Sequence, residues 1–431
     1  MKPAITRLVV LALTAAAPWS AADTLLSGWQ AHLENDPHGE RAFTFDASSY
    51  SRGADLSDLP IGVFDSGIGG LTVLEALLTA DVFHNDDLKP GADGKPDFED
   101  ERFIYLGDQA NMPYGNYSSA GKVDFLRELI LKDAVFLLGK RYWSAVDAVP
   151  PRHDKPPVKA IVIACNTATA YGLADIREAV KAWGIPVIVV GVVEAGARGL
   201  LTTANDGAVG VLATVGTCAS EVYPKTIQST LGLAGRPAAA VTQFGSASLA
   251  GVIEGDPAHP KPLAEQIALD VHDLVEAHRK ACGSDVVPIK KVMLGCTHFP
   301  LVVKEIDAAF EDLRQKPEFA PWIAGTREFI NPAEWTAREL FGELAKARIR
   351  RKAGAADAKN LFFISVANPR CLSAKLAEAG VLDHAYKYGR EPGHLEIEDT
   401  LVVPMTRSGL PEVSRRLVEA KLPTVWARLP R

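Results

Sequence analysis

The sequence predicts an α/β protein built as two pseudo-symmetric lobes, each a parallel sheet flanked by helices, with the active site in the cleft between them. Three observations predict it. Short apolar β-type runs alternate with helical periods along most of the chain, the pattern of parallel sheets joined by right-handed crossovers. Two of those runs, 161–164 and 292–295, each end in a cysteine, Cys165 and Cys296. Each cysteine is followed by small polar residues, Asn166-Thr167 and Thr297-His298, so the two halves carry matching strand ends. Open α/β sheets bind ligands at the carboxyl ends of their strands.

The elements follow in order. Residues 61–64 form a short buried strand that enters a glycine-rich turn, Asp65-Ser66-Gly67-Ile68-Gly69-Gly70, and then an amphipathic helix to 78. Residues 85–101 are a polar Gly/Pro/acidic loop, read as solvated. A second strand, 103–106, leads into the turn 107–116. A helical period covers 122–143, and a proline-rich loop covers 147–157. The Cys165 strand, a helix over 169–183 and a strand over 186–190 complete the first series. The second series opens with a strand at 209–213 that runs into Thr214-Val215-Gly216-Thr217. Helical sequence spans 218–232 and 261–281, then the Cys296 strand and a helix from about 300. Beyond it, 329–331 reads as the start of a return strand, followed by a helix at 333–351, a strand at 361–365 and a helix at 370–380.

The implied organisation is an export signal at 1–22, a lead-in segment at 23–58 without clear period, a discontinuous first lobe at 59–191 and 323–390, a second lobe at 192–322, and a C-terminal extension at 391–431. The signal rests on Lys2 and Arg7, the apolar run 8–17, and a small-x-small pattern ending at Ala22. It places the mature protein outside the inner membrane, in the periplasm, with no membrane anchor after cleavage. A chain of 431 residues is long enough for two lobes with a sizeable core. The net charge of −7 gives no reason to expect nucleic acid as a partner. Five cysteines, an odd number with no C-x-x-C pair, do not form a disulfide framework. If the two motif thiols do chemistry, they must also sit too far apart to bridge easily.

That chemistry has a physical logic. Inverting a carbon that bears one acidic hydrogen requires removing a proton from one face and returning one to the other. Two like acid/base groups, one protonated and one not, serve both directions. Thiols suit the task because their pKa is tunable by local charge, helix N-termini or a nearby His. Other readings exist residue by residue. Asp65 also reads as a helix cap, and Cys296-x-His298 as half a zinc site, although no second Cys/His cluster accompanies it.

The strings IGVFDSGIGGLTVLEAL, YLGDQANMPYG, IVIACNTATA, PVIVVGVVEAGA, VGVLATVGT and VMLGCTHFPLV resemble the successive motifs of the glutamate racemase family, in the family's order. The resemblance runs from about residue 61 to about 389. It implies a cofactor-independent, metal-free racemase of glutamate, with a small acidic amino acid as its small-molecule partner. Cys165 and Cys296 would be the acid/base pair, Asp65 would support Cys165, His298 would support Cys296, and Glu194 would assist. Ser66, Asn166, Thr167, Thr217 and Thr297 would hold the α-amino and α-carboxylate ends. The turn Pro113-Tyr114-Gly115 would receive the side-chain carboxylate through backbone N–H groups, pre-oriented donors that need no Arg clamp. The resemblance also allows a homodimer, though no interface stripe is legible. The chain departs from the family pattern at Gln109-Ala110-Asn111, where Thr-Ala-Arg is usual, at Ala195, where Pro is usual, and over 242–249. Those departures keep aspartate or another acidic amino acid, or a non-catalytic exported binding protein, as alternatives.

Overall fold

The computed structural model describes residues 21–431 apart from 52, 205, 257, 353–358 and 379, with backbone only for 21–24. The expected export signal lies outside the described residues except for its last two positions, which open the helix Ala21–Glu34.

Among the described residues, ten strands form two sheets: β1 Ile61–Asp65, β2 Phe103–Gly107, β3 Ala160–Ile163, β4 Ile188–Gly191, β5 Ala208–Thr214, β6 Val241–Ser246, β7 Ile289–Gly295, β8 Ile323–Ile330, β9 Leu361–Ala367 and β10 Thr400–Pro404. The first sheet has the order β10-β9-β2-β1-β3-β4, the second β6-β5-β7-β8. All pairings are parallel except β9 with β10. The segments β2-β1-β3-β4 and β6-β5-β7-β8 share one topology, so the pseudo-symmetry is one of connectivity. In each, the chain steps to one side of the first strand and then returns to the other. The switch points fall between β1 and β3 and between β5 and β7, where such sheets open a crevice. Cys165 follows β3 and Cys296 follows β7, the equivalent strands.

β1, β2, β3, β5 and β7 are short and mostly apolar because both faces are covered. Alternation assigns the faces: Ile61 and Val63 of β1 pack with the helix Leu71–Thr79, whereas Phe64 packs with the helices Val123–Leu138 and Asn166–Ala182.

Several expectations are corrected. β8, placed by the sequence reading in the first lobe, pairs with β7 and closes the second sheet; its exposed, charged outer positions hide the β period. β6 was not anticipated, because its Thr-Gln-Phe-Gly-Ser run is half-buried and polar. Among the described residues of 370–380 no helix forms; turns surround an exposed Leu372 and a bridge joins Leu376 to Leu382. The lead-in is part of the fold: Trp29, Phe45 and Tyr50 are buried against the first sheet, and the Tyr50 hydroxyl donates to the Val158 carbonyl at 3.0 Å. Three anchoring aromatics need no 3.6-residue period, so the pattern gave no signal. The loop 85–101 is exposed until Asp97 and Phe98, which are buried and pin it; Asp97 accepts from the Val82 and Phe83 N–H groups. The C-terminal extension adds β10 to the first sheet and then two helices, Glu412–Lys421 and Pro423–Arg428. No described helix is long and apolar enough to cross a membrane.

Candidate active site between the two sheets

Both sulfurs reach one pocket, formed where the carboxyl ends of β1, β3, β5, β6 and β7 converge. Cys165 is the N-cap of the 17-residue helix Asn166–Ala182. Its sulfur accepts from the Ala168 N–H at 3.4 Å and lies 3.7 Å from the Ser66 hydroxyl. A helix N-terminus favours a thiolate. Here burial outweighs it: desolvation, aided by the Asp65 carboxylate, pushes the Cys165 thiol up to about 12 against the pull of Ala168 and Ser66. At neutral pH this sulfur rests as the thiol.

Cys296 has a different setting. Its sulfur lies 3.6 Å from His298 Nδ1, and His298 Nε2 lies 2.6 Å from Glu254 Oε1. All three side chains are buried. Burial opposes charge on His298. The bonds to Cys296 and Glu254 and their charges prevail, and hold the imidazole well above its ordinary value. The ring is therefore an imidazolium, with one N–H toward the carboxylate and one toward the sulfur. Two like residues are thus placed differently, one as a neutral acid in a dry niche and one beside a buried imidazolium.

Glu254 was not found by sequence reasoning, which selected Glu194 instead. Glu194 sits on the helix Val192–Gly199 after β4, the edge strand of the first sheet, and pairs with Arg177 at 2.8 Å, partly exposed and outside the pocket. A carboxylate ending the apolar turn Val252-Ile253-Glu254-Gly255 was the available signal.

Asp65 is fully buried at the end of β1. Desolvation raises its carboxyl to about 6, opposed chiefly by the charge of His298. It accepts from the Gly67 N–H at 3.0 Å, so it does cap the turn. The Thr297 hydroxyl is 3.5 Å from its other oxygen. It does not line the pocket, and acts on Cys165 and His298 through its field.

Ser66, Pro113, Tyr114, Gly115, Asn166, Thr167 and Thr297 line the pocket with the two sulfurs and His298. Thr217 does not; it is buried beneath, in a triangle of hydroxyls with Thr167 and Thr214 whose sides are each 3.0 Å. Thr214, the end of β5, takes the lining place. Asn166 Oδ1 accepts from the Tyr223 hydroxyl at 2.6 Å, which fixes the orientation of its amide. The Tyr114 hydroxyl points into the core, 2.5 Å from Asp108 and 2.7 Å from Asp133. Burial and the neighbouring Asp108 hold Asp133 well above the carboxylate range, so this cluster keeps a proton. What Tyr114 offers the pocket is therefore not its hydroxyl. Ser246, Ala250, Gly251, Asp256 and His259 form the second-lobe rim, which the sequence did not reveal. No Arg or Lys is among the described lining residues. Among the described residues, no group of three His, Cys, Asp or Glu side chains is arranged to hold a metal ion. All five cysteines are free thiols.

The arrangement suits proton transfer at a carbon held between two sulfurs, with hydroxyls, an amide and backbone N–H groups to hold polar ends. Comparison with known proteins gives concordant matches. A family model described as Asp/Glu/Hydantoin racemase matches residues 141–329, which include both cysteines. The glutamate racemase of Limosilactobacillus fermentum is 30% identical over 255 residues, 59% of this chain and 74% of that protein. That of Pediococcus pentosaceus is 30% identical over 299 residues, 69% of this chain and 86% of its own. Among solved structures, a glutamate racemase isoform from Bacillus anthracis superposes with a TM-score of 0.51 at 26% identity, covering 72% of this chain and 89% of that one.

Proposed function

The chain belongs to the glutamate racemase family, and from that premise we propose that it interconverts L- and D-glutamate by proton transfer between two thiols. The observation that carries the reading is the placement of Cys165 and Cys296 on topologically equivalent strand ends, facing one pocket. In one direction the Cys296 thiolate takes the α-proton: the Cα–H bond breaks, an S–H bond forms, and the electron pair stays on the α-carbon. The Cys165 thiol then gives its proton to the opposite face. The reverse direction exchanges the roles. A thiolate whose conjugate acid lies at about 12 is a strong base for a weakly acidic carbon. Burial, which costs the empty site, supplies that basicity.

In this reading His298, held by Glu254, stabilises charge on Cys296, and Asp65 does so less directly from behind. Ser66, Asn166, Thr167, Thr214 and Thr297 take the α-amino and α-carboxylate groups. Backbone N–H groups of Pro113-Tyr114-Gly115 and the residues beside it take the side-chain carboxylate; Pro113 itself has no N–H. The test is chiral chromatography of L-glutamate after incubation with the reduced protein. D-glutamate should appear, and Cys165→Ser and Cys296→Ser should each lower the rate about 10²–10⁴-fold, the usual worth of a positioned acid or base. Unimpaired turnover in either variant would refute the two-thiol reading.

We also propose that residues 1–22 direct export, on the strength of their basic start, apolar run and cleavage pattern. N-terminal sequencing of the protein recovered from outside the inner membrane should begin at Asp23. A protein found only inside, beginning at Met1, would contradict export.

A further inference from the structure

The pocket loop at residues 112–116 belongs to the first sheet, yet much of what holds it comes from the distant C-terminal part of the chain. Lys387, on the short helix His384–Gly389, donates from Nζ to the Met112 carbonyl at 2.7 Å. Arg390 follows. Its Nη2 donates to Asn111 Oδ1 at 2.5 Å and to the Tyr117 hydroxyl at 3.0 Å. Its Nη1 donates to Asp399 Oδ2 at 2.8 Å, and its Nε to the Lys387 carbonyl at 3.2 Å. The guanidinium is buried and stacks 4.6 Å from the Phe125 ring. Asp399 also accepts from the Tyr386 hydroxyl at 3.0 Å. Asn111, one residue before the pocket loop, is thus held by a guanidinium that arrives from residue 390.

We infer that Lys387 and Arg390 are positioning residues for the loop that receives the substrate's distal carboxylate, so that the segment 384–399 sets affinity for the substrate without taking part in proton transfer. The inference rests on the racemase reading for the identity of the substrate. Its geometry is independent of that reading. Lys387 holds the first residue of the pocket-lining stretch, Met112, and Arg390 holds the residues that flank the stretch, Asn111 and Tyr117. A planar fork that places four N–H groups on four separate acceptors cannot be replaced by an ammonium with three.

The test compares wild type, Arg390→Lys and Lys387→Met for glutamate binding by calorimetry, for KM and kcat, and for the rate of iodoacetamide labelling at Cys165 and Cys296. Arg390→Lys keeps the charge and is chosen to preserve folding, which circular dichroism checks; Lys387→Met is a second, less buried site. The expected result is a rise in Kd and KM of about tenfold in each variant, with kcat within about twofold and thiol labelling unchanged, the signature of lost uniform binding. Unchanged Kd and KM, or parallel falls in kcat and labelling protection, would overturn the inference. A wild type that binds glutamate without turning it over would sink the racemase reading and leave the ratio of Kd values to decide this one. A wild type that neither binds nor converts glutamate would overturn both.

Discussion

Two cysteines with the same side chain do opposite jobs here because their neighbours differ. Cys165 has a hydroxyl, one N–H and no cation, so burial dominates; Cys296 has an imidazolium fixed by Glu254. Asp65 lies between the two settings and supplies a testable pH dependence. Its carboxyl is raised from 3.8 to about 6 in the folded protein. A raised folded pKa means the folded state binds the proton more tightly. The resulting stability is fully present below about pH 3.8 and is lost as pH rises through about 6. Asp65→Asn removes that dependence. The stability of the variant relative to wild type should therefore improve between pH 4 and pH 7, by on the order of 2 kcal/mol, while turnover falls. Urea denaturation at the two pH values measures it; a difference that does not change with pH would contradict the assigned burial. At this scale the sequence was informative about both thiols, His298 and Asp65, whose motifs are contiguous with strand ends. It was misleading about Glu194, because a carboxylate on a neighbouring helix and one that reaches the site look alike until the chain is folded.

Among elements, the decisive contact is between two short helices, Gly115–Ser119 of the first lobe and Val215–Ala219 of the second. They meet backbone to backbone. A Cβ placed on Gly216 would lie 2.7 Å from the Gly115 Cα and 2.8 Å from its carbonyl oxygen. No flexible side chain is there to yield, so Gly216→Ala must push the lobes apart. Overpacking of this kind costs about 1–3 kcal/mol. Activity should fall further than stability, because the shift displaces Gly115 and Thr214 at the pocket together. Parallel measurement of kcat/KM and the thermal midpoint decides it. Full activity in a stable variant would show that the lobes tolerate separation. The same logic explains what was legible at this level. Strands covered on both faces, such as β1, β3 and β7, announce themselves as apolar runs. The partly solvated β6 and β8 do not, and the polar sequence of β6 conceals a segment that delivers Ser246 to the pocket rim and leads on to Glu254.

For the whole molecule, the connectivity β2-β1-β3-β4 repeated as β6-β5-β7-β8 makes a two-sided site. A single α/β sheet presents groups from one side of a crevice. Two such sheets facing each other can address both faces of one carbon, which inversion requires and which neither lobe does alone. The tail then ties the lobes together. β10 extends the first sheet, Val413 sits under Gly255 on the second lobe, and Glu75 accepts the Thr424 and Val425 N–H groups at 3.0 and 2.7 Å. The two lobes and their cleft are legible in the sequence; the tail reads only as an extension, 391–431, without an assigned role. Its role depends on long-range pairing, which leaves no local period. The central claim, that one thiol removes the proton and the other returns a different one, is tested most directly by converting L-glutamate in D2O and following the α-position of substrate and product by proton NMR at early times. Newly formed D-glutamate should carry deuterium while the remaining L-glutamate keeps its α-proton. Early deuterium in the recovered L-glutamate, or retained protium in the D product, would mean that a single group serves both faces, and would contradict the account.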